Sequence, residues 1–221
     1  MPRSSKPTPA PPRPNKRALA KSQTRQKILA SAKRLFAERG YEGATIRDIA
    51  SAAGMSTGAV FASFTGKPEL FGEIVLADRA ASYEIMERVL ADRMKRPDAP
   101  VEETLAEMLR AGYRFRLKDI ALLQATISAA WSPDLGAEVR ERLAKKPVTE
   151  LIGRALEAGV KSGQLRANGD LPLMARLLWD AYLGNYAHAA YDGWKLDKLD
   201  QQMRSQIKIV LAGDRTGRAA K

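Results

Sequence analysis

The chain has 221 residues, of which 45% are hydrophobic, so it is long enough for one large or two small domains with a substantial core. Cysteine is absent and His188 is the only histidine, which excludes disulfides, zinc–thiolate sites, cysteine nucleophiles and histidine metal clusters within one chain. The net charge is +12, and no stretch approaches the ~18 consecutive apolar residues that a membrane-spanning helix needs.

The excess positive charge lies in the first third of the chain. Residues 1–67 contain 13 Lys and Arg against 3 Asp and Glu, whereas residues 68–221 contain 24 against 22. A basic N-terminal third beside a nearly neutral remainder is typical of one module that faces DNA. The alternative is a basic tail that only aids solubility. No apolar segment follows the first charges as it would in a signal peptide, so we expect a cytoplasmic, nucleoid-associated protein with no membrane partner.

Residues 1–21 are predicted to form a disordered basic arm. Six prolines between Pro2 and Pro14 disfavour a helix, and the segment holds little apolar material around which to fold. Two roles stay open for its lysines and arginines: reaching an adjacent minor groove, or forming a solvated tail. A second basic tail is predicted at residues 214–221.

Residues 22–67 are predicted to form a domain of three helices. The first helix carries an amphipathic stripe of Ile28, Ala32, Leu35 and Phe36. Gly40 follows it and suits the left-handed backbone position that ends a helix.

The next two helices are short and are joined by a glycine turn. Thr45 and Asp48 form a capping box at the start of the second helix, Gly54 ends it, and Ser56 caps the third. Two helices in this arrangement are typical of a helix-turn-helix motif. Phe61 and Phe64 on the third helix favour a core position over contact with DNA.

The third helix begins with the small and polar residues Ser56, Thr57, Gly58 and Ala59. Short hydroxyl groups can bond a phosphate or a base edge. A glycine inside a helix costs about 1 kcal/mol, which favours a packing or close-approach reason for Gly58. The pattern therefore predicts that the N-terminal end of this helix approaches DNA.

Many positions between Arg25 and Leu70 follow one family pattern, namely Ile28, Ala32, Phe36, Gly40, Tyr41, Thr45, Ile49, Ala50, Ala53, Gly54, Ser56, Gly58, Phe64, Lys67 and Leu70. In these residues the chain resembles the DNA-binding domain of TetR-family regulators. The resemblance implies that Thr45 and Lys67 hold phosphates and that Ser56 to Ser63 form the recognition helix. The predicted DNA-binding set is Thr45, Arg47, Ser56, Thr57, Gly58, Ala59, Phe61, Ser63 and Lys67.

The chain departs from the family pattern at three of its positions. Phe61 stands where the family usually has tyrosine, so a phosphate contact is either lost or taken over by Ser63 and Arg47. Ser63 itself replaces a residue that is often His or Tyr. Gly66 replaces the usual serine cap and is still an acceptable cap.

Residues 68–213 are predicted to form an all-helical domain for ligand binding and dimerisation. Helical periodicity places its helices at 68–94, 101–117, 119–130, 135–162, 171–192 and 197–212, and no strand pattern of useful length occurs. The whole chain is therefore predicted to be all-α. The family resemblance supports this architecture and a homodimer, and it leaves the ligand undetermined.

The last two helices are predicted to form the dimer interface as a bundle of four helices from two subunits. The candidate residues are Leu173, Leu177, Ala181, Gly184, His188, Leu199, Met203, Ile207 and Val210. A palindromic operator requires two-fold protein symmetry, which favours this interpretation. The alternative is that both stripes pack inside one subunit.

A ligand pocket is expected between helices of the same domain. Its candidate residues are large side chains on otherwise apolar helices, namely Met108, Tyr113, Trp131, Trp179 and Tyr182. Plain core packing is the alternative for each of them. Arg110 and Arg114 lie one helical turn apart, so they either pair an acidic ligand or form a solvated face.

These observations lead to three functional hypotheses. The first is a sequence-specific DNA-binding repressor that a small-molecule effector releases from a pseudo-palindromic duplex. The second is an activator or architectural DNA binder without small-molecule control, which a closed core in place of a cavity would indicate. The third is an enzyme, which is disfavoured because no phosphate-binding loop, nucleophile elbow or catalytic triad is found. No catalytic residue, metal or cofactor is expected.

Overall fold

The computed structural model describes residues 16–96, 98–129, 132–145 and 147–214, with ten α-helices and no strand among them. In chain order these are α1 (Lys16–Gly43), α2 (Ile46–Ala52), α3 (Thr57–Phe61), α4 (Lys67–Met94), α5 (Val101–Arg116), α6 (Ile120–Ala129), α7 (Ala137–Ala144), α8 (Pro147–Lys161), α9 (Leu171–Tyr191) and α10 (Leu196–Leu211). The all-α class is confirmed for this part of the chain.

The first helix begins earlier than predicted. α1 starts at Lys16, so the last part of the predicted arm, Lys16 to Lys21, is helical. The last proline is Pro14, and the residues after Lys16 are Arg, Ala, Leu and Lys, which are all strong helix formers. The rest of the predicted arm and residues 215–221 of the predicted tail lie outside the described residues.

The single helix predicted over 135–162 is in fact two helices. α7 ends at Ala144, Lys145 has an extended ψ of 131°, and Pro147 opens α8. Proline disfavours a helical residue before it and has no N–H for the preceding turn, so the helix breaks there.

The helices pack around two hydrophobic cores. The first core joins α1, α2 and α3 to the start of α4 and to α6, and Phe71 lies at its centre with edge-to-face contact to Phe36 at 5.2 Å between ring centroids. The second core joins α4, α5, α8, α9 and α10. α4 has 28 residues, a length of about 42 Å, and it supplies side chains to both cores. Helix α4, which begins at the predicted domain boundary at residue 67, therefore packs with the helices on both sides of that boundary.

A cluster of tyrosines ties α5 to α9 inside the second core. The ring centroids of Tyr113 and Tyr182 are 4.5 Å apart, and the Tyr113 hydroxyl donates to the Tyr182 carbonyl oxygen at 3.2 Å. A Cβ atom at Gly112 would lie 2.2 Å from the Tyr182 hydroxyl oxygen, so only glycine permits this approach. Asn185 completes the network by donating to the Tyr113 hydroxyl at 3.0 Å.

Candidate nucleic-acid interface and ligand cavity

The corner formed by α2 and α3 is fixed by its caps and its turn. Thr45 Oγ1 accepts a hydrogen bond from the Asp48 backbone N–H at 3.1 Å, and the Thr45 N–H donates to the Asp48 carboxylate at 3.3 Å. This is the predicted capping box, and it lowers the pKa of Asp48 because the Thr45 hydrogen bonds favour the carboxylate. Gly54 takes the left-handed φ of 67° that the turn requires, and Ser56 caps α3 as predicted.

Several of the predicted DNA-facing residues lie on the outer side of this corner. Thr45, Arg47, Ser56, Thr57 and Gly58 are all exposed, and Ala59 and Ser63 are half-buried. A Cβ atom at Gly58 would touch only Ser56 Oγ, at 3.8 Å. Packing within the chain therefore does not require glycine at this position, and close approach to DNA stays a prediction.

The two phenylalanines of this region have different surroundings. Phe64 is 2% exposed and belongs to the first core, as predicted, whereas Phe61 is 57% exposed. The expectation of a core position for Phe61 is wrong, because α3 has only five residues and Phe61 ends it on the outer side. Phe61 thus presents a large apolar surface beside the exposed hydroxyl of Thr57.

Lys67 lies at the start of α4 and holds the end of α1. Its Nζ donates to the Tyr41 carbonyl oxygen at 3.2 Å, lies 4.4 Å from the centroid of the Tyr41 ring, and is 3.8 Å from the Glu42 carboxylate. Lys67 is therefore an anchor between two helices, and its phosphate contact stays a prediction. Gly66 gives no side-chain cap before it, and the Thr65 hydroxyl and backbone N–H donate to the Glu69 carboxylate instead.

Arg25 is a residue of this region that the sequence did not reveal. Its guanidinium lies 3.9 Å from the Phe64 ring centroid, donates to the Ser63 carbonyl oxygen and pairs with Glu73 at 2.6 Å. Arg25 thereby joins α1 to α4 and to residues 63–64, which follow α3; residues 57–64 are called the α3 segment. Its partners lie 38 or more positions away in the chain, so no local pattern could indicate them.

A cavity of about 500 Å³ lies between α4, α6, α8 and α9. This volume is within the range of small-molecule sites in proteins. Its wall is mostly apolar, and α4 contributes to it from Phe71 through Met86. Phe71 and Val75 line the cavity and also belong to the first core, so the cavity and the α2–α3 corner share side chains.

The predicted ligand residues divide into three groups. Trp179 and Tyr182 line the cavity. Met108 and Tyr113 are fully buried in the second core and are absent from the described lining, and Tyr113 packs against the lining residue Tyr182. Trp131 lies outside the described residues.

The arginines of the cavity are not the predicted ones. Arg110 pairs with Asp197 at 2.9 Å between α5 and α10, and Arg114 is exposed, so of the two open alternatives the structure favours a surface position over an acid-binding pair. Arg79 and Arg116 line the cavity instead. Arg79 lies on α4 and Arg116 at the end of α5, and the two helices pack against each other.

Charges and hydroxyls of the cavity are buried. Arg116 forms an ion pair with Asp78, and Arg79 donates to the Lys145 carbonyl oxygen at 2.9 Å. Burial lowers the pKa of Arg79, and the nearby Arg116 charge lowers it further. Burial also raises the pKa of Tyr182 to about 12, so its phenol is a neutral group.

The apolar stripe of α10 is buried inside the chain and not exposed as predicted. Leu199, Met203 and Ile207 are at most 1% exposed within one chain, so their assignment to the dimer interface is wrong. α10 turns this stripe onto α5 and α9, which is the packing-inside alternative. The half-buried Ala181 and Val210 pack against the same core.

The outer face of α9 is the apolar surface that remains. Leu173, Leu177 and Leu183 are 44%, 48% and 43% exposed, and the neighbouring Gly184 has open space where a Cβ atom would point. Ile209 on α10 is 76% exposed. The remaining predicted interface residue, His188, has a half-exposed side chain that pairs with Asp192 at 2.6 Å and stacks on Trp194.

No group of three or more His, Asp or Glu side chains with metal-binding geometry occurs among the described residues. In the same part of the chain, no helix combines the length and apolarity needed to cross a membrane.

Comparison with known proteins agrees with this geometry. The family model for bacterial regulatory proteins of the tetR family matches residues 28–74. The transcriptional repressor KstR2 of Rhodococcus jostii is 32% identical over 166 residues, which are 72% of this chain and 76% of that protein. The repressor AcnR of Corynebacterium efficiens is 36% identical over 104 residues, 43% of this chain, so the match spans about half of that protein, 55%.

Solved structures match over most of the chain. The transcriptional regulator FadR of Bacillus subtilis, solved in complex with stearoyl-CoA, has a TM-score of 0.67 and 19% identity, and the match covers 85% of this chain and 98% of FadR. At this identity the likeness shows the fold alone.

Proposed function

Because this chain belongs to the TetR family of bacterial regulatory proteins, we propose that it is a transcriptional repressor that a small molecule releases from its DNA operator. The observation that carries the proposal is the capped α2–α3 corner, with Thr57, Gly58 and Phe61 exposed on its outer side. The names of KstR2 and AcnR, both transcriptional repressors, support the sign of regulation. A repressor of this kind acts at the nucleoid and not as an enzyme.

In this proposal α3 enters the major groove of the operator. Thr57 and Ser56 offer hydroxyl groups to base edges or phosphates, and Gly58 lets the helix approach closely. Arg47 on α2 and Thr45 at its N-cap face the DNA phosphates beside the same groove. Phe61, which has no hydroxyl group for a phosphate, offers apolar contact to a thymine methyl group.

Helix α4 couples the cavity to the corner. Phe71 lines the cavity on one side, and on the other it packs on Phe36 at 5.2 Å and Tyr41 at 4.8 Å between ring centroids. Arg25 links the same helix to the end of the α3 segment through Glu73 and the Ser63 carbonyl oxygen. A ligand that displaces α4 would therefore tilt the corner and favour a conformer that no longer fits two successive major grooves.

The homodimer in this proposal is formed by the outer faces of α9 and α10. Leu173, Leu177 and Leu183 form an exposed apolar stripe with Gly184, where a partner helix can approach closely, and Ile209 extends it. Leu183 and Gly184 also line the cavity, so a partner subunit would cover this side of it. Leu177→Glu should yield monomers by analytical ultracentrifugation, whereas the exposed Met94→Glu on α4 should leave the dimer intact.

The cavity favours ligand control over the second hypothesis, an activator or architectural protein without small-molecule control. A DNA binder with no ligand has no need of an apolar volume of about 500 Å³, because unfilled core volume destabilises a fold. Close packing throughout the second core would have supported the alternative.

The proposal is tested with duplexes selected from a random pool by the purified chain and measured by fluorescence anisotropy over a range of salt. We expect a two-fold symmetric site and a log–log salt slope of several units. Arg47→Ala should reduce the slope by about 1, and the matched control Arg88→Ala, an exposed arginine on α4, should not. Failure to select any duplex, or affinity that does not respond to salt, would refute the proposed function.

A further inference from the structure

The wall of the cavity is apolar, but its charged groups have one sign. Among the described residues that line it, Arg79 and Arg116 carry charge, and no Asp or Glu is present. Asp78 pairs with Arg116 from outside the lining, with the two side chains 14% and 10% exposed. The cavity thus offers a positive potential in surroundings of low polarity, which favour an anion.

Trp179 adds a donor without an acceptor. The residue lines the cavity and is 4% exposed, and its indole Nε1 is buried and forms no hydrogen bond within the described structure. An indole N–H can only donate, and buried polar groups in native proteins nearly always have a partner. This buried donor is therefore a candidate partner for a ligand that brings an acceptor oxygen to Trp179.

The hydroxyl groups of the wall agree with this polarity. The Tyr182 and Tyr186 hydroxyl oxygens are 2.5 Å apart, so one donates to the other, and burial raises the pKa of both phenols, which keeps both neutral. Around them the wall is formed by side chains such as Phe71, Met86 and Leu123. An apolar body with one polar end fits this division of the surface.

We infer that the cavity binds an apolar organic acid, whose carboxylate is recognised by the Arg79 side of the wall and by the Trp179 N–H. This inference rests on the proposed function, since it names the class of effector for the same cavity. Two groups would discriminate between ligands. The Arg79 guanidinium favours a negatively charged ligand, and the Trp179 N–H favours a ligand with an acceptor oxygen, charged or neutral.

The test measures direct binding by isothermal titration calorimetry, with the full chain and no DNA. The probes are decanoate and 2-naphthoate, each paired with its primary amide, which keeps the shape and the acceptor oxygen but has no charge. Because a hydrogen bond to a charged group is stronger than a neutral one, we expect at least one acid to bind about ten-fold or more tightly than its amide. Equal affinity of acid and amide, or no acid binding at millimolar concentration, would overturn the inference.

Two variants separate the two selecting groups. Arg79→Gln should weaken the acid about ten-fold or more and the amide much less, because only the acid carries a charge that attracts the guanidinium. Trp179→Phe should weaken both probes, the amide by roughly two- to ten-fold and the acid by more, because the N–H bond that the acid loses is to a charged carboxylate. The matched controls Arg114→Gln and Trp194→Phe change residues outside the cavity and should leave all four affinities unchanged. An Arg79→Gln protein that keeps the full preference for the acid contradicts the inference.

A parallel titration of the selected duplex keeps the two proposals apart. If an acid binds with the expected preference and does not release the duplex, the proposed ligand control fails and the chemistry of the cavity stands. If the duplex is bound normally and only uncharged probes enter the cavity, the inference about the acid fails and the DNA-binding function stands.

Discussion

The two hydrophobic cores of this chain are filled in different ways. In the first, Phe36, Tyr41 and Phe71 fill the space with ring centroids 4.8 to 5.9 Å apart, and the polar corner is held rigidly on the outside. The second borders a cavity of about 500 Å³ on the side where it meets the first, and side chains of both cores line that cavity. The difference teaches that a surface which must match DNA is built on close packing, whereas a region that responds to a ligand keeps space for it.

The largest effect is expected where the two cores meet. Phe71→Ala removes the ring that fills the first core and enlarges the cavity, so the free energy of unfolding should fall by about 3–5 kcal/mol. The measurement is urea denaturation followed by circular dichroism. Leu19→Ala, at an exposed position of α1, is the control and should change stability by less than about 0.5 kcal/mol. A small effect of Phe71→Ala would mean that the first core does not depend on α4.

A smaller effect is expected at Arg25, which joins three segments of the first region. Arg25→Met keeps a chain over the Phe64 ring but removes the ion pair with Glu73 and the bond to the Ser63 carbonyl oxygen. Stability should fall by about 1–2 kcal/mol, and affinity for the selected duplex should fall with it. The exposed Arg34→Met should leave both unchanged. Unaltered DNA affinity in Arg25→Met would show that the α3 segment needs no tie to α4.

A variant of Lys67 separates two roles for this residue, an internal anchor and a phosphate ligand. Lys67→Ala should weaken binding to all duplex sequences alike and lower the salt slope by about 1 if the ammonium group contacts a phosphate. If Lys67 serves only to hold Tyr41 and Glu42, thermal stability should fall while the salt slope stays constant. The family resemblance predicts the first result, and anisotropy across salt together with a melting curve separates the two.

The smallest effect is expected in acid, at the capping box of α2. The pKa of Asp48 is lowered in the folded chain, so its contribution to stability is present above the pKa of the unfolded chain and is lost as pH falls through the lower folded value. Asp48→Asn should thus be less stable than the parent at neutral pH, and the difference should begin to shrink as pH falls below about 4 and continue to shrink as pH falls further. A constant difference in denaturation midpoint across this range would contradict the assignment.

The same contrast explains what the sequence could predict. The α2–α3 corner was predicted nearly residue by residue, because caps and glycine turns are local chemistry: Thr45 with Asp48, Gly54 and Ser56 each act within four positions. The start of α1 and the break at Pro147 were not predicted. The limit of the proline-rich arm is less sharply marked than a glycine turn, and the apolar periodicity continues across Pro147.

The second region depends on contacts between distant residues. Trp179 and Tyr182 were predicted to line the cavity, but Arg79 and Arg116 were not, because periodicity cannot tell which charged side chains a neighbouring helix will cover. The stripe of Leu199, Met203 and Ile207 was predicted correctly as apolar but placed on the wrong surface. An apolar stripe indicates burial and does not say whether the partner is the same chain or another.

Amide hydrogen exchange of the full chain, with and without a saturating selected duplex, tests most directly whether the α2–α3 corner is the surface that faces DNA. We predict that the duplex slows exchange chiefly across residues 45–63 and leaves the outer face of α9 as it is in the free protein. Slowed exchange confined to α8, α9 or α10, with residues 45–63 unaffected, would contradict the account.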